Sequence, residues 1–322
     1  VDPTRFFAAS RLLIVAGKGG VGKTVVSATI ARAAARVGLS TLVVEVEGKS
    51  GLATMFGQQG LDYDETVLSA GGGRAGDGEV RARTLTPDEA LLDYLRDHGL
   101  SRISKRLVSS GALDVVATAA PGIKDILVLG KVKQLERAAA TDLLVLDAPA
   151  AGHAITFLQA ARVLLDTVRV GPINAQAREV LEMLTDHARC RVVLVTLPEE
   201  TPVNELVDTA FNLEDRVGVG LGPVVVNGLY DDIPGLHAEP AAAAETAGTA
   251  LRKGEAQALR AAAAFRSDRM ELQAEQVARL ADRLPLAQIR LPFVFTTEIG
   301  PDELDLLAAR FLAEVDALPE VV

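Results

Sequence analysis

Residues 11–24 read Arg-Leu-Leu-Ile-Val-Ala-Gly-Lys-Gly-Gly-Val-Gly-Lys-Thr, a β-rich apolar run that ends in glycines. From Gly17 to Thr24 the segment fits the pattern G-x-x-x-x-G-K-[ST]. Glycines let successive backbone N–H groups turn inward around phosphate oxygens, and a helix starting there adds its dipole. On this reading Gly17, Gly19, Gly20, Val21 and Gly22 cradle the phosphates, and Lys23 reaches the β- and γ-phosphates. The Thr24 hydroxyl is then a ligand of Mg²⁺, and the expected bound species are ATP and Mg²⁺. The flanks agree. Residues 25–37 read as a helix with an alanine-filled interior, stopped by Gly38. Residues 41–47, Thr-Leu-Val-Val-Glu-Val-Glu, read as the next strand. A strand–helix–strand unit of this length is a parallel crossover, so the expected fold is a doubly wound, mostly parallel α/β sheet.

Working outward, further Val/Leu runs suit strands covered on both faces: 113–117, 143–147, 191–196, 223–227 and a short one at 288–291. Helical patterns fall at 87–98, 122–140, 153–170, 175–188 and 202–216. Residues 71–78 are glycine-dense but lack a following Lys-Ser/Thr, so they read as a loop. The alanine-rich stretch 239–264, interrupted at Gly248 and Gly254, reads as broken surface helices. Glu45 and Glu47 share one face of their strand, at the carboxyl end where open α/β sheets bind ligands. Glu47 is placed to orient a water for in-line attack, and Glu45 to sit near the magnesium shell. Asp147 closes the run Leu-Leu-Val-Leu, the Walker B pattern of a carboxylate on a magnesium-bound water.

Composition narrows the field. The 322 residues carry 33 basic and 43 acidic side chains, a net charge of −10. That balance argues against a nucleic-acid partner, which needs a concentrated basic surface. The one cysteine, Cys190, excludes an intrachain disulfide framework and a multi-thiolate zinc site. It reads as a small buried hydrophobe. No apolar run reaches bilayer-spanning length and the opening residues lack a signal-peptide profile, so the expectation is a cytoplasmic protein without direct membrane insertion.

Lys18, at the second position of the loop, gives the segment GKGGVGKT its resemblance to the deviant Walker A class of P-loop NTPases. In that class the lysine extends across a dimer interface to phosphates held by the other subunit. The segment 147–153, DAPAAGH, resembles the second switch, DTAPTGH, of the ArsA and guided-entry ATPase family, with Ala148 and Ala151 in place of the family's threonines. Pro121-Gly122-Ile123 is similar to a segment opening a helix of the family's client-binding subdomain. Val224-Val225-Val226-Asn227 is similar to the family's strand whose terminal Asn hydrogen-bonds adenine, and Leu291-Pro292-Phe293 to its late segment that flanks the adenine ring. The resemblance implies that Gly152 senses the γ-phosphate through its N–H and that Asn227 and Pro292 meet adenine. It implies one domain over 1–322 with a helical subdomain, about 87–140 and 153–188, inserted in it. It also implies a dimeric ATPase whose nucleotide state controls a membrane-protein client or a transporter. The VEVEG form of the first switch is similar to that of actinobacterial members, which act as paired ATPases, so a homodimer and a heterodimer with a paralogue both stand. A weakly hydrolysing ATP-binding subunit of such a heterodimer stays an alternative.

The departures matter as much. A lone thiol does not hold a soft metalloid, so an arsenite response is not expected. The zinc-clamping cysteine pair of the eukaryotic targeting factors is absent, and three methionines, among them Met183 in a helix that is a candidate for a client groove, make a poor methionine-rich groove. A MinD- or ParA-like positioning ATPase needs a basic surface or a membrane-binding helix. The amphipathic 301–322 segment is acidic, with Arg310 its one cation, so the positioning ATPase stands as an alternative beside the leading reading.

Overall fold

The expected first crossover is present in the computed structural model, which describes residues 1–46, 51–72, 76–97, 99, 122–149 and 151–319. A short helix α1 (Pro3–Ala8) precedes β1 (Leu12–Gly17), α2 (Lys23–Arg36) and β2 (Thr41–Val46). Next come α3 (Gly51–Met55), β3 (Thr66–Ser69), β4 (Val80–Leu85), α4 (Pro87–Asp97) and α5 (Ile123–Ala138). Then follow β5 (Leu143–Asp147), α6 (Ala151–Thr167), α7 (Pro172–Thr185), β6 (Cys190–Thr196) and α8 (Glu200–Arg216). The chain closes with β7 (Gly220–Leu221), β8 (Val224–Leu229), α9 (Pro240–Thr246), α10 (Glu255–Arg283), β9 (Gln288–Pro292) and α11 (Pro301–Asp316).

Nine described strands form one sheet in the order β3-β4-β2-β5-β1-β6-β8-β9, with β7 beside β6. Every pairing is parallel except β3 with β4. Strand residues alternate between two interiors, as a pleat with both faces covered requires. Leu12, Ile14, Leu42, Val44, Leu144 and Leu146 face a core shared with α5, α6, α7 and α8. Leu13, Val15, Val43, Leu143 and Val145 face the other, shared with α1, α2 and α11. The sheet is doubly wound.

Several expectations are refined. The expected strand at 113–117 lies outside the described residues. Strands β3 and β4 were not anticipated, nor was β7. The alanine-rich region does break at Gly248 and Gly254, but its second part runs on as a 29-residue helix to Arg283. Met183 is fully buried among sheet and helix side chains, so it is a core residue and not a groove residue. Cys190 opens β6 and is also fully buried, where desolvation pushes its thiol well above the usual range. The amphipathic α11 buries Leu304, Leu307, Ala308, Phe311 and Val315 in the second core, with Phe7 stacked on Phe311.

The glycine-dense loop docks onto the end of α2: the Gly78 N–H donates to the Ala35 carbonyl at 2.7 Å. A β-carbon on Gly78 would lie 2.1 Å from the Leu39 oxygen, so the backbones meet where only glycine fits. Residues 73–75 of this loop lie outside the described residues. At one edge of the sheet, the Arg290 N–H of β9 donates to Glu314 Oε2 of α11 at 3.1 Å. At the other, β3 has four residues and a register shift between Val67 and Ser69.

Candidate functional site

Strand β1 ends at Gly17, and the loop from Lys18 to Gly22 turns directly into α2. Gly20 and Gly22 have φ of 86° and 88°, the left-handed region that glycine enters without strain. Gly22 is doubly constrained, because a β-carbon there would meet the Asn227 amide nitrogen at 2.3 Å. Lys23 is only 7% exposed, and its ammonium folds back to donate to the Lys18 carbonyl at 3.1 Å. The loop therefore wraps its own cation.

Behind the loop, the sheet register lines up Thr84, Glu45, Asp147 and Val15 across β4, β2, β5 and β1. Residues level with one another on parallel strands project to one face, here the face covered by α2. Asp147 is 1% exposed, and its two oxygens are shared between successive turns of α2. Thr24 Oγ1 donates to Oδ2 at 2.7 Å and Ser27 Oγ to Oδ1 at 3.2 Å. Thr24 and Ser27 are three residues apart and so lie on one side of the helix. Buried carboxylates need such donors to offset lost hydration. Glu45, also 1% exposed, accepts from Thr84 Oγ1 at 3.3 Å.

This donor set suits the expected ligands. Thr24, Asp147 and Glu45 offer hard oxygens of the kind Mg²⁺ prefers, while glycine N–H groups and Lys23 suit phosphate. The structure brings Gly17, Lys18, Gly19, Gly20, Val21, Gly22, Lys23, Thr24, Glu45 and Asp147 together at the carboxyl ends of β1, β2 and β5. Glu47, expected to orient water, lies outside the described residues. Gly152 sits in the first turn of α6, just after β5.

Asn227, on β8, reaches the loop itself: its Nδ2 donates to the Val21 carbonyl at 3.0 Å. Pro292 ends the adjacent β9, opposite Leu229. The turn after Asn227 is fixed by the buried Gln273 of α10, which accepts from the Tyr230 N–H at 2.9 Å and donates to the Gly228 carbonyl at 3.1 Å. Tyr230 then packs with Phe293 and Phe295, with centroid distances of 5.4 and 5.5 Å. Lys18 donates to Glu205 Oε1 of α8 at 2.5 Å.

Sequence reasoning missed Ser27, Thr84, Glu205 and Gln273. Ser27 had a local signal, one helical turn beyond Thr24 on the same side. Glu205 and Gln273 had none, because the fold alone brings them to the site.

Comparison with known proteins agrees with this geometry. Residues 10–170, half of the chain, match the family described as Anion-transporting ATPase, the ArsA ATPases. ATPase BagA of Mycobacterium tuberculosis is 31% identical over 307 residues, covering 88% of this chain and 87% of that protein. ATPase get3 of Neurospora crassa is 27% identical over 200 residues, covering 62% of this chain and 55% of that protein. ATPase GET3 of Pyricularia oryzae is 27% identical over 158 residues, covering 48% and 44% respectively. A glycine loop between strand and helix on a mostly parallel sheet, a buried strand-end aspartate bonded to the loop's threonine, a family match over half of the chain and a mycobacterial relative alike over most of both chains lead to one assignment: the chain belongs to the ArsA ATPase family.

Proposed function

We propose that this ATPase binds ATP with Mg²⁺ in the loop 17–24 and hydrolyses it as the switch of a dimer. The carrying observation is the joint made by Thr24, Ser27 and Asp147, which ties the first two turns of α2 to the end of β5. Thr24, backed by Asp147 and Glu45, would hold Mg²⁺, which would supply positive charge against the negative charge developing on the phosphoryl group during transfer to water. The chain's own groups do the rest. Backbone N–H groups of Gly19, Gly20, Val21 and Gly22 orient the phosphates, and Lys23 neutralises their charge. Asp147 fixes the Thr24 hydroxyl by accepting its hydrogen bond, with Glu45 level with it on the next strand. Glu47 orients the attacking water, and Gly152 reads the γ-phosphate at the start of α6. Asn227 and Pro292 flank the base; because Asn227 also holds the Val21 carbonyl, base recognition and loop shape share one side chain.

On this reading the whole chain works as one domain, with helices in 87–140 and 153–188 carrying the partner surface. The partner is a second ATPase subunit, identical or paralogous, and beyond it a membrane-protein client or a transporter. Lys18 reaches the phosphates of the other subunit once the dimer closes. A membrane-positioning role is disfavoured: α11, the amphipathic segment it would use, packs its apolar side into the second core. Among the described residues no helix is long and apolar enough to cross a membrane.

Magnesium-dependent ATP turnover of the wild type, Lys23→Ala, Glu47→Gln and Lys18→Ala tests the proposal. Each substitution is expected to lower kcat by about 100-fold or more, the usual scale for removing a group that stabilises transition-state charge or orients the attack. Absence of turnover in the wild type, alone and mixed with a paralogous subunit, would overturn the enzyme reading.

A further inference from the structure

Residue 18 is held at both ends. Its carbonyl accepts from Lys23 at 3.1 Å, and its ammonium donates to Glu205 Oε1 at 2.5 Å, across 187 positions of sequence. The two restraints differ in kind. Lys23 opens α2, the helix that continues the loop, whereas Glu205 stands on a helix remote in sequence whose place is set by its own packing. Val203, Leu206, Val207, Ala210 and Leu213 of α8 are buried in the first core. The neighbouring polar groups of α8 are engaged elsewhere: Glu200 pairs with Arg279, and Asn204 accepts from Arg279 and Arg283, all on α10. The Lys18 bond therefore adds little to the position of α8, but it fixes where the loop lysine points.

We propose that Glu205 is a positioning residue that keeps Lys18 on its own subunit until nucleotide phosphate displaces it. This rests on the reading of Lys18 as a phosphate-binding residue given above. The exchange is a competition between anions for one ammonium. On one side stands a single carboxylate; on the other, phosphate oxygens bearing several negative charges. Lys18 and Glu205 side chains are 40% and 43% exposed, so water and salt weaken the pair and let it break. A buried pair would lock the lysine; an open one sets a threshold. The consequence is that the subunit carrying no phosphate hides the charge that its partner needs.

Two measurements on the full chain test this. Carbodiimide forms an amide only between an amine and a carboxylate in direct contact, and mass spectrometry maps the product. A Lys18–Glu205 cross-link is expected without nucleotide, falling severalfold when Mg²⁺ and a non-hydrolysable ATP analogue are added; an unchanged yield would overturn the exchange. In the second arm, Glu205→Gln keeps the side-chain size and removes the charge. It is expected to lower the half-saturating ATP concentration by up to about fivefold, the reach of an exposed ion pair, with the shift steeper at low salt. The same substitution in a Lys18→Ala background is expected to leave ATP binding unchanged. No shift from Glu205→Gln, with Lys18→Ala inactive, sinks the role of Glu205 alone. Full turnover by Lys18→Ala overturns both this inference and the reading beneath it. If Glu205→Gln does not fold, the cross-link in the wild type decides.

Discussion

Asp147 shows how a single residue joins sequence pattern to chemistry. An aspartate that ends an apolar strand is easily read as a metal-facing group, but burial at 1% exposure makes it costly unless both oxygens find donors. Thr24 supplies one and Ser27 the other. Thr24 is part of the loop motif, while Ser27 lies one turn beyond it and donates to the carboxylate. Replacing Ser27 by Ala removes one charge-assisted bond from the Oδ1 oxygen. The expected loss is about 1–3 kcal/mol of unfolding free energy, read from urea midpoints. A variant as stable as wild type would show that the bond contributes nothing net. The loop residues were legible because their roles depend on neighbours in sequence. Glu205 was not, because one glutamate on a polar helix surface looks like any other until packing aims it at Lys18.

At the scale of elements, α11 was the hardest to read correctly from pattern alone. Its amphipathicity is real, but the pattern does not say whether a membrane, a partner or the protein itself covers the apolar side. The structure answers with Leu304, Leu307, Phe311 and Val315 in the second core, while Leu306 is half exposed. Phe311→Ala is therefore expected to cost about 3–5 kcal/mol, as for a large aromatic removed from a packed core. Leu306→Glu, on the outward side, is expected to stay within about 0.5 kcal/mol of wild type by thermal melting. The reverse ranking would mean that the helix docks by another face. The central strands β1, β2, β5, β6 and β8 were legible as short Val/Leu runs. Strand β4, Val-Arg-Ala-Arg-Thr-Leu, was not, because its arginines look like loop residues. They find local partners at the sheet margin: Arg83 lies 4.4 Å above the Tyr63 ring and Arg81 pairs with Glu79 and Glu65. The length of α10 was equally hidden, since few of its side chains are buried and no apolar period marks its course.

For the whole molecule, charge pairing away from the loop sets the response to acid. Asp93 of α4 accepts from Tyr63, Lys131 of α5 and Arg96. Burial alone would raise its pKa, but the bonds from Lys131 and Tyr63 outweigh it and hold the carboxyl below its ordinary value. Glu179 of α7 is lowered, chiefly by its bond from Lys133, and Asp142 by the Ser40 hydroxyl and N–H. A folded pKa below the unfolded one means the stabilisation is complete above the unfolded value. It is lost as pH falls through the folded value. Unfolding free energy is therefore expected to vary little through these groups from pH 7 to about 5, and to decline below about pH 4, where free carboxylates titrate. Asp93→Asn is expected to cost about 1.5–3 kcal/mol at pH 7 and clearly less at pH 3, by urea titration at each pH. Equal losses at both values would separate Asp93 from the acid response. The fold class and the phosphate loop follow from periodicity and a local motif. The acid-sensitive pairs and the Lys18 contact follow from tertiary packing, which no short stretch of sequence records.

The two margins of the sheet carry a last consequence. A strand with unused N–H and C=O groups invites another copy to add itself, as in fibrils and in dimers built by continuing one sheet into the next. Here Glu314 plugs the Arg290 N–H on one margin, and a four-residue, out-of-register strand ends the other. Among the described residues ribbon-like growth is obstructed at both margins, so a second copy of the chain would find loops and helices to meet rather than an open strand edge.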